Sequence, residues 1–84
     1  MIPENFVKDN LRKIDRGKSF ENLTPYMQET IRIRWEIYND VKYKSQDILL
    51  ADLVFILANK YNLSECTISN LIYQKKFRKI DYSV

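Results

Sequence analysis

Histidine is missing from all 84 residues, and the chain has one cysteine, Cys66, one glycine, Gly17, and two prolines, Pro3 and Pro25. Without histidine no His-containing zinc site can be built, and a lone thiol supplies no Cys pair for metal or redox chemistry. One cysteine also cannot close an internal disulfide, which fits a reducing, cytoplasmic setting. So little glycine and proline leaves few residues for β-turns and favours helices. There is no glycine-rich phosphate loop, and salt pairing or helix capping accounts for the scattered carboxylates, so neither an enzyme nor a cofactor is expected. The longest apolar run, Ile48 to Ala58, is too short to span a bilayer and is interrupted by Asp52. Met1 to Phe6 lacks a basic start followed by an apolar run, so no secretion signal is expected.

What is present suits one small all-α domain over residues 1–84, a bundle of about four helices. In residues 1–23, Phe6 or Val7, Leu11 (or Asn10) and Ile14 follow helical spacing, with Pro3 in the first turn, Glu4 near the positive end and Gly17 as the stop. Phe20 and Leu23 are anchors in the linker that follows, where Ser19 and Asn22 favour turns. Thr24-Pro25 is a helix start, Thr as N-cap and Pro at the first helical position, and this helix is expected to run to Tyr43 or Lys44. Met27, Ile31, Trp35, Tyr38 and Val41 share one face, with Tyr26, Ile33 and Ile37 as a second apolar strip. Gln28, Glu29, Arg32, Glu36, Asn39 and Asp40 fall opposite. Arg32 with Glu36 and Asp40 with Lys44 are i,i+4 pairs. The Trp-Tyr stripe reads as core before it reads as a stacking platform for bases.

Asp47 is the expected N-cap of the next helix, with Ile48 as its first residue. From there to Tyr61 the helix is apolar nearly all round, so either the N-terminal helix or a second copy of the chain is expected to cover its far side. Ile48 and Phe55 are the candidate oligomer contacts.

The stretch from Ile56 to Gln74, ILANKYNLSECTISNLIYQ, reads as a helix, a tight turn and a second helix. Asn62 sits where the chain reverses, since Asn tolerates the left-handed conformation. Leu63 returns to the core. Ser64 is the N-cap, accepting from the amide of Cys66 or Thr67, and Glu65 suits the positive end of the helix. Ile68, Leu71 and Ile72 form a buried stripe.

This pattern resembles the helix-turn-helix of DNA-binding regulators. In that family a small residue stands four before the turn glycine and a β-branched residue six after it. Ala58 and Ile68 take those places, and Asn62 replaces the glycine. Leu63-Ser64 through Thr67-Ile68-Ser69 is similar to the recognition-helix start of the lactose-repressor type. The resemblance places a helix-turn-helix at residues 54–74 within a helical core of 24–74. It implies that helix 65–74 enters the major groove of double-stranded DNA. Glu65, Cys66, Thr67, Ser69, Asn70, Tyr73 and Gln74 would then face bases, and Ser64 a phosphate. Asn70 suits adenine, and Thr67 or Cys66 a thymine methyl. One departure is that no Arg or Lys lies between Glu65 and Gln74, so weak or A·T-leaning specificity is expected over tight readout, the other reading being that the hairpin does not read DNA.

Net charge is only +3, and the densest basic patch is Lys75, Lys76, Arg78 and Lys79, in a tail of residues 75–84. Beside a recognition helix these four are candidate phosphate contacts; alone, they read equally as a solvated helix end. Phe77, Ile80 and Tyr82 interleave with them, as suits nucleic acid or ordinary docking of a tail. The sequence reading is a small transcriptional regulator acting as a homo-oligomer, most simply a dimer. The alternatives are a helical protein–protein adaptor and the small subunit of a phage packaging terminase. The composition, rich in Lys, Asn, Ile and Tyr, hints at an A·T-rich bacterial, phage or mobile-element genome.

Overall fold

Thr24 and Pro25 start the longest element as their chemistry requires: Thr24 Oγ1 accepts from the Met27 amide at 3.3 Å, and the Thr24 carbonyl accepts from Gln28 N at 2.9 Å. The computed structural model describes residues 2–44 and 47–74. Over these the chain forms α1 (Glu4–Asp9), 3-10 turns at Lys13–Asp15 and Phe20–Asn22, α2 (Pro25–Lys44), α3 (Leu50–Tyr61) and α4 (Glu65–Ile72). No strand occurs among the described residues, and the fold is all-α, as expected. These residues group into two compact units, 2–35 and 36–74, divided within α2.

In the first unit, α1 is shorter than its apolar spacing suggests. Pro3 is its N-cap, and Glu4 and Lys8 form an exposed pair at 3.2 Å. The helix stops at Asn10, not at Gly17. The Asn10 side chain donates to the Phe6 carbonyl at 2.9 Å, and its backbone amide bonds the Phe6 and Val7 carbonyls, so the amide side chain competes with the next helical turn. Arg12 is then extended, and Ile14, expected on the buried stripe, is 80% exposed. Phe6, Val7, Leu11, Leu23, Met27 and Ile31 are buried. Trp35 meets Phe6 edge-to-face, ring centroids 4.9 Å apart, so its ring serves packing.

Gln28, expected on the solvent face, is half-buried instead. Its amide donates to the Phe20 and Leu23 carbonyls, each at 3.1 Å, and so ties down the Phe20–Asn22 turn. Ser19 and Asn22 are bonded through their side chains at 3.0 Å. Arg32 lies 5.5 Å above the Phe20 ring and pairs with Glu29 at 3.7 Å rather than with Glu36. Tyr26, assigned to an apolar strip, is 78% exposed.

In the second unit, Ile37, Tyr38 and Val41 are buried on α2, as are Leu53, Val54, Leu57 and Ala58 on α3, and Ile68 and Ile72 on α4, which packs on α3. Each fully buried Leu or Ile stabilises by about 1.5–3 kcal/mol. α3 starts two residues later than expected. The Lys44 carbonyl accepts from both Asp47 N and Ile48 N, at 3.1 and 3.0 Å, which commits these residues to the turn leaving α2. Leu49 takes the N-cap position in an extended conformation, without a side-chain cap. Asp40, expected among solvated groups, accepts from Lys60 Nζ at 2.8 Å and Tyr61 Oη at 2.6 Å. Its pair with Lys44 is present but long, at 3.9 Å.

Candidate nucleic-acid interface

The turn between α3 and α4 forms because Asn62 adopts φ 55°, ψ 44°, the one positive φ among the described residues. Asn bears this conformation better than other residues with a Cβ, since its short amide can bond locally. The amides of Asn62 and Leu63 both donate to the Ala58 carbonyl, closing the end of α3 as in a Schellman turn. Leu63 is half-buried, and Ala58 is buried four residues before the turn.

Ser64 then caps α4. Its Oγ accepts from the Thr67 amide at 3.1 Å, and its carbonyl from Ile68 N at 3.1 Å. The Ser64 and Thr67 hydroxyls lie 2.7 Å apart. Two candidate contact residues thus hold each other and fix the first turn of the helix.

The helix ends at Ile72, not at Gln74. Tyr73 is its C-cap, and Gln74 lies beyond it, exposed. Ile68 and Ile72 are fully buried and Leu71 half-buried, so the remaining face points outward. Cys66, Asn70 and Tyr73, at i, i+4 and i+7, make one exposed row, flanked by Thr67 on one side and by Glu65 and half-buried Ser69 on the other. Asn70 Nδ2 lies 3.6 Å from Cys66 Sγ, a weak contact that leaves the Asn70 carbonyl oxygen available. A helix about 10–12 Å across with its side chains matches the major groove, about 12 Å wide.

An open groove of about 340 Å³ runs beside this row, lined by Ala51 and Val54 of α3 and Glu65, Cys66, Ser69 and Tyr73. The sequence did not suggest it, because it needs Ala51 and Val54 of α3 brought beside residues of α4 well along the chain. Of the two candidate oligomer contacts, Phe55 on α3 is 59% exposed, and Ile48, before the helix, is half-buried. Leu49 and Ile56, not singled out from the sequence, are exposed alongside.

Among the described residues of the second unit the electrostatics do not favour an anion. Residues 36–74 carry three lysines and five carboxylates, and both Lys44 and Lys60 are turned onto Asp40. Burial raises the pKa of Asp40, but the hydrogen bonds from Lys60 and Tyr61 outweigh it and hold the carboxyl below its ordinary value. Burial, with Asp40 adding to it, pushes the Tyr61 hydroxyl up to about 12. The hydrogen bond to Asp40 raises Lys60. Lys75, Lys76, Arg78 and Lys79, the candidate phosphate contacts, lie outside the described residues.

No cluster of metal-ligating side chains occurs among the described residues, and no helix there is long and apolar enough to cross a membrane. Compared with known proteins, the chain matches no family model, no curated protein and no solved structure.

Proposed function

We propose that the chain is a non-catalytic, DNA-binding helix-turn-helix protein that presents α4 to the major groove, as a small transcriptional regulator would in the cytoplasm. One observation carries the reading: the left-handed Asn62, the Ser64 cap and buried Ile68 fall in the order that family uses. They leave Cys66, Thr67 and Asn70 on the open face. Asn70 is the residue assigned to base readout, through an adenine edge. Ser64 and the basic residues Lys75, Lys76, Arg78 and Lys79 are assigned to phosphates.

Selection of bound duplexes from a random pool at low salt tests this. The expected result is an A·T-leaning site at which Asn70→Ala loses about 1–3 kcal/mol of discrimination at one position. The Lys75/Lys76/Arg78/Lys79→Ala protein should bind every duplex more weakly, with a shallower salt slope. Failure of the wild type to retain any duplex at low salt overturns the reading.

Exposed Phe55 and Ile56 on α3, with Leu49 at its N-cap, favour a second reading, in which this helix binds protein. The partner is a second copy in a repressor dimer or a packaging ring, or another protein if the chain is an adaptor. Sedimentation of wild type and Phe55→Ser separates these: a dimer or ring dissociated by the substitution supports self-association, and a monomer that binds no DNA supports the adaptor.

A further inference from the structure

We propose that the segment from Arg12 to Lys18 is a second phosphate-contacting surface, which grips a nucleic-acid backbone without reading bases. This rests on the DNA-binding reading above. The segment, RKIDRGK, holds four cations and one carboxylate in seven residues. The carboxylate is turned inward: Asp15 is 5% exposed, bonded by Arg12 Nη2 at 3.0 Å and Nε at 3.1 Å, and by Lys18 Nζ at 3.2 Å. Backbone bonds from Asp15 N to Arg12 O and from Lys18 N to Asp15 O close the same loop. Asp15 therefore sets the shape of the segment while the surface it presents stays cationic. Lys13 and Arg16 are exposed, and their side chains have no hydrogen-bond or ion-pair partner among the described residues. Arg12 and Lys18 keep 68% and 52% of their side-chain surface open even while paired.

Beyond the four tail cations assigned above, the described residues of the other unit offer little to a phosphate. α4 offers one carboxylate, Glu65, and no cation, and Lys44 and Lys60 are held by Asp40. Affinity for duplex DNA depends on neutralising phosphates, and the Lys13 and Arg16 side chains pair with no carboxylate among the described residues. Ile14, 80% exposed between them, would suit a lipid surface. A single aliphatic side chain adds too little to anchor a protein to a bilayer, however, whereas a polyanion needs no apolar insertion.

The test is a salt series of binding to mixed-sequence duplex DNA with the full chain, comparing wild type, Lys13→Ala/Arg16→Ala and Ile14→Ser. Neither cation holds Asp15, so the circular dichroism of the double variant should match wild type. Two lost phosphate contacts should make its slope of log K against log salt shallower by about 1.8, while Ile14→Ser leaves the slope unchanged. Wild-type binding with an unchanged slope in the double variant overturns this inference and leaves the DNA reading standing. No wild-type binding at low salt overturns both. Binding to phosphatidylserine vesicles that needs Lys13, Arg16 and Ile14, with the DNA slope unmoved, overturns it in favour of a lipid surface.

Discussion

Tyr61 donates its hydroxyl to the Asp40 carboxylate at 2.6 Å, joining the last turn of α3 to the C-terminal half of α2. Lys60, next in the chain, bonds the same oxygen at 2.8 Å, so one carboxylate holds two adjacent residues at the approach to the turn.

This arrangement sets two limits on stability as pH varies. Asp40 and Asp15 have folded pKa values below the ordinary 3.8, so their contributions are complete above that value and are lost as pH falls below it. Tyr61 is raised from 10 to about 12, so its contribution is complete below pH 10 and is lost as pH climbs toward 12. Urea titrations across pH should show a plateau that falls off on both sides. Tyr61→Phe should cost about 1 kcal/mol at neutral pH and flatten the alkaline fall. An alkaline fall of unchanged size in that variant would break the assignment.

Asn62 is the position at which backbone conformation can be tested directly. Asn62→Gly should be neutral within about 0.5 kcal/mol, and Asn62→Ala should cost roughly 1 kcal/mol, because only the latter forces an ordinary Cβ into the left-handed region. Equal thermal midpoints for the two variants would contradict the turn.

Leu49 occupies the N-cap of α3 with no side-chain acceptor and is 74% exposed. Leu49→Ser or Leu49→Asp should stabilise the protein by about 0.5–2 kcal/mol in chemical denaturation, by giving the first turn of the helix an acceptor. A loss of stability would mean that the leucine is covered in solution.

Gly17 needs none of the freedom glycine has. Its φ is not positive, and a Cβ built there would meet nothing within 4 Å. Gly17→Ala should raise stability by about 0.4–1 kcal/mol, through the unfolded chain alone, and a shift in thermal midpoint reads it.

The parts of the fold that were legible in the sequence are those governed by neighbours in the chain. The Thr24-Pro25 start, the Ser64 cap and the Asn62 turn each depend on groups within four residues, and each stands where the residues put it. The Ile68–Ile72 stripe follows from helical spacing alone. Periodicity misled where a local bond interrupted it: the Asn10 side chain ends α1 and leaves Ile14 outside. The start of α3 was displaced for a related reason, since the Lys44 carbonyl claims two amides beyond α2. In the candidate site, the exposed row of Cys66, Asn70 and Tyr73 was readable from spacing, but the groove beside it was not.

By itself, then, the sequence determined the all-α class, the order of the helices and the chemistry of the turn, because caps, left-handed residues and apolar stripes act over a few residues. Only the tertiary structure decided which charges remain available. Asp40 is drawn to Lys60 and Tyr61, twenty residues and more along the chain, and Asp15 is turned inward while Lys13 and Arg16 stay open. A charge gives no sign in the sequence of the partner that folding brings to it, since that depends on how the helices pack.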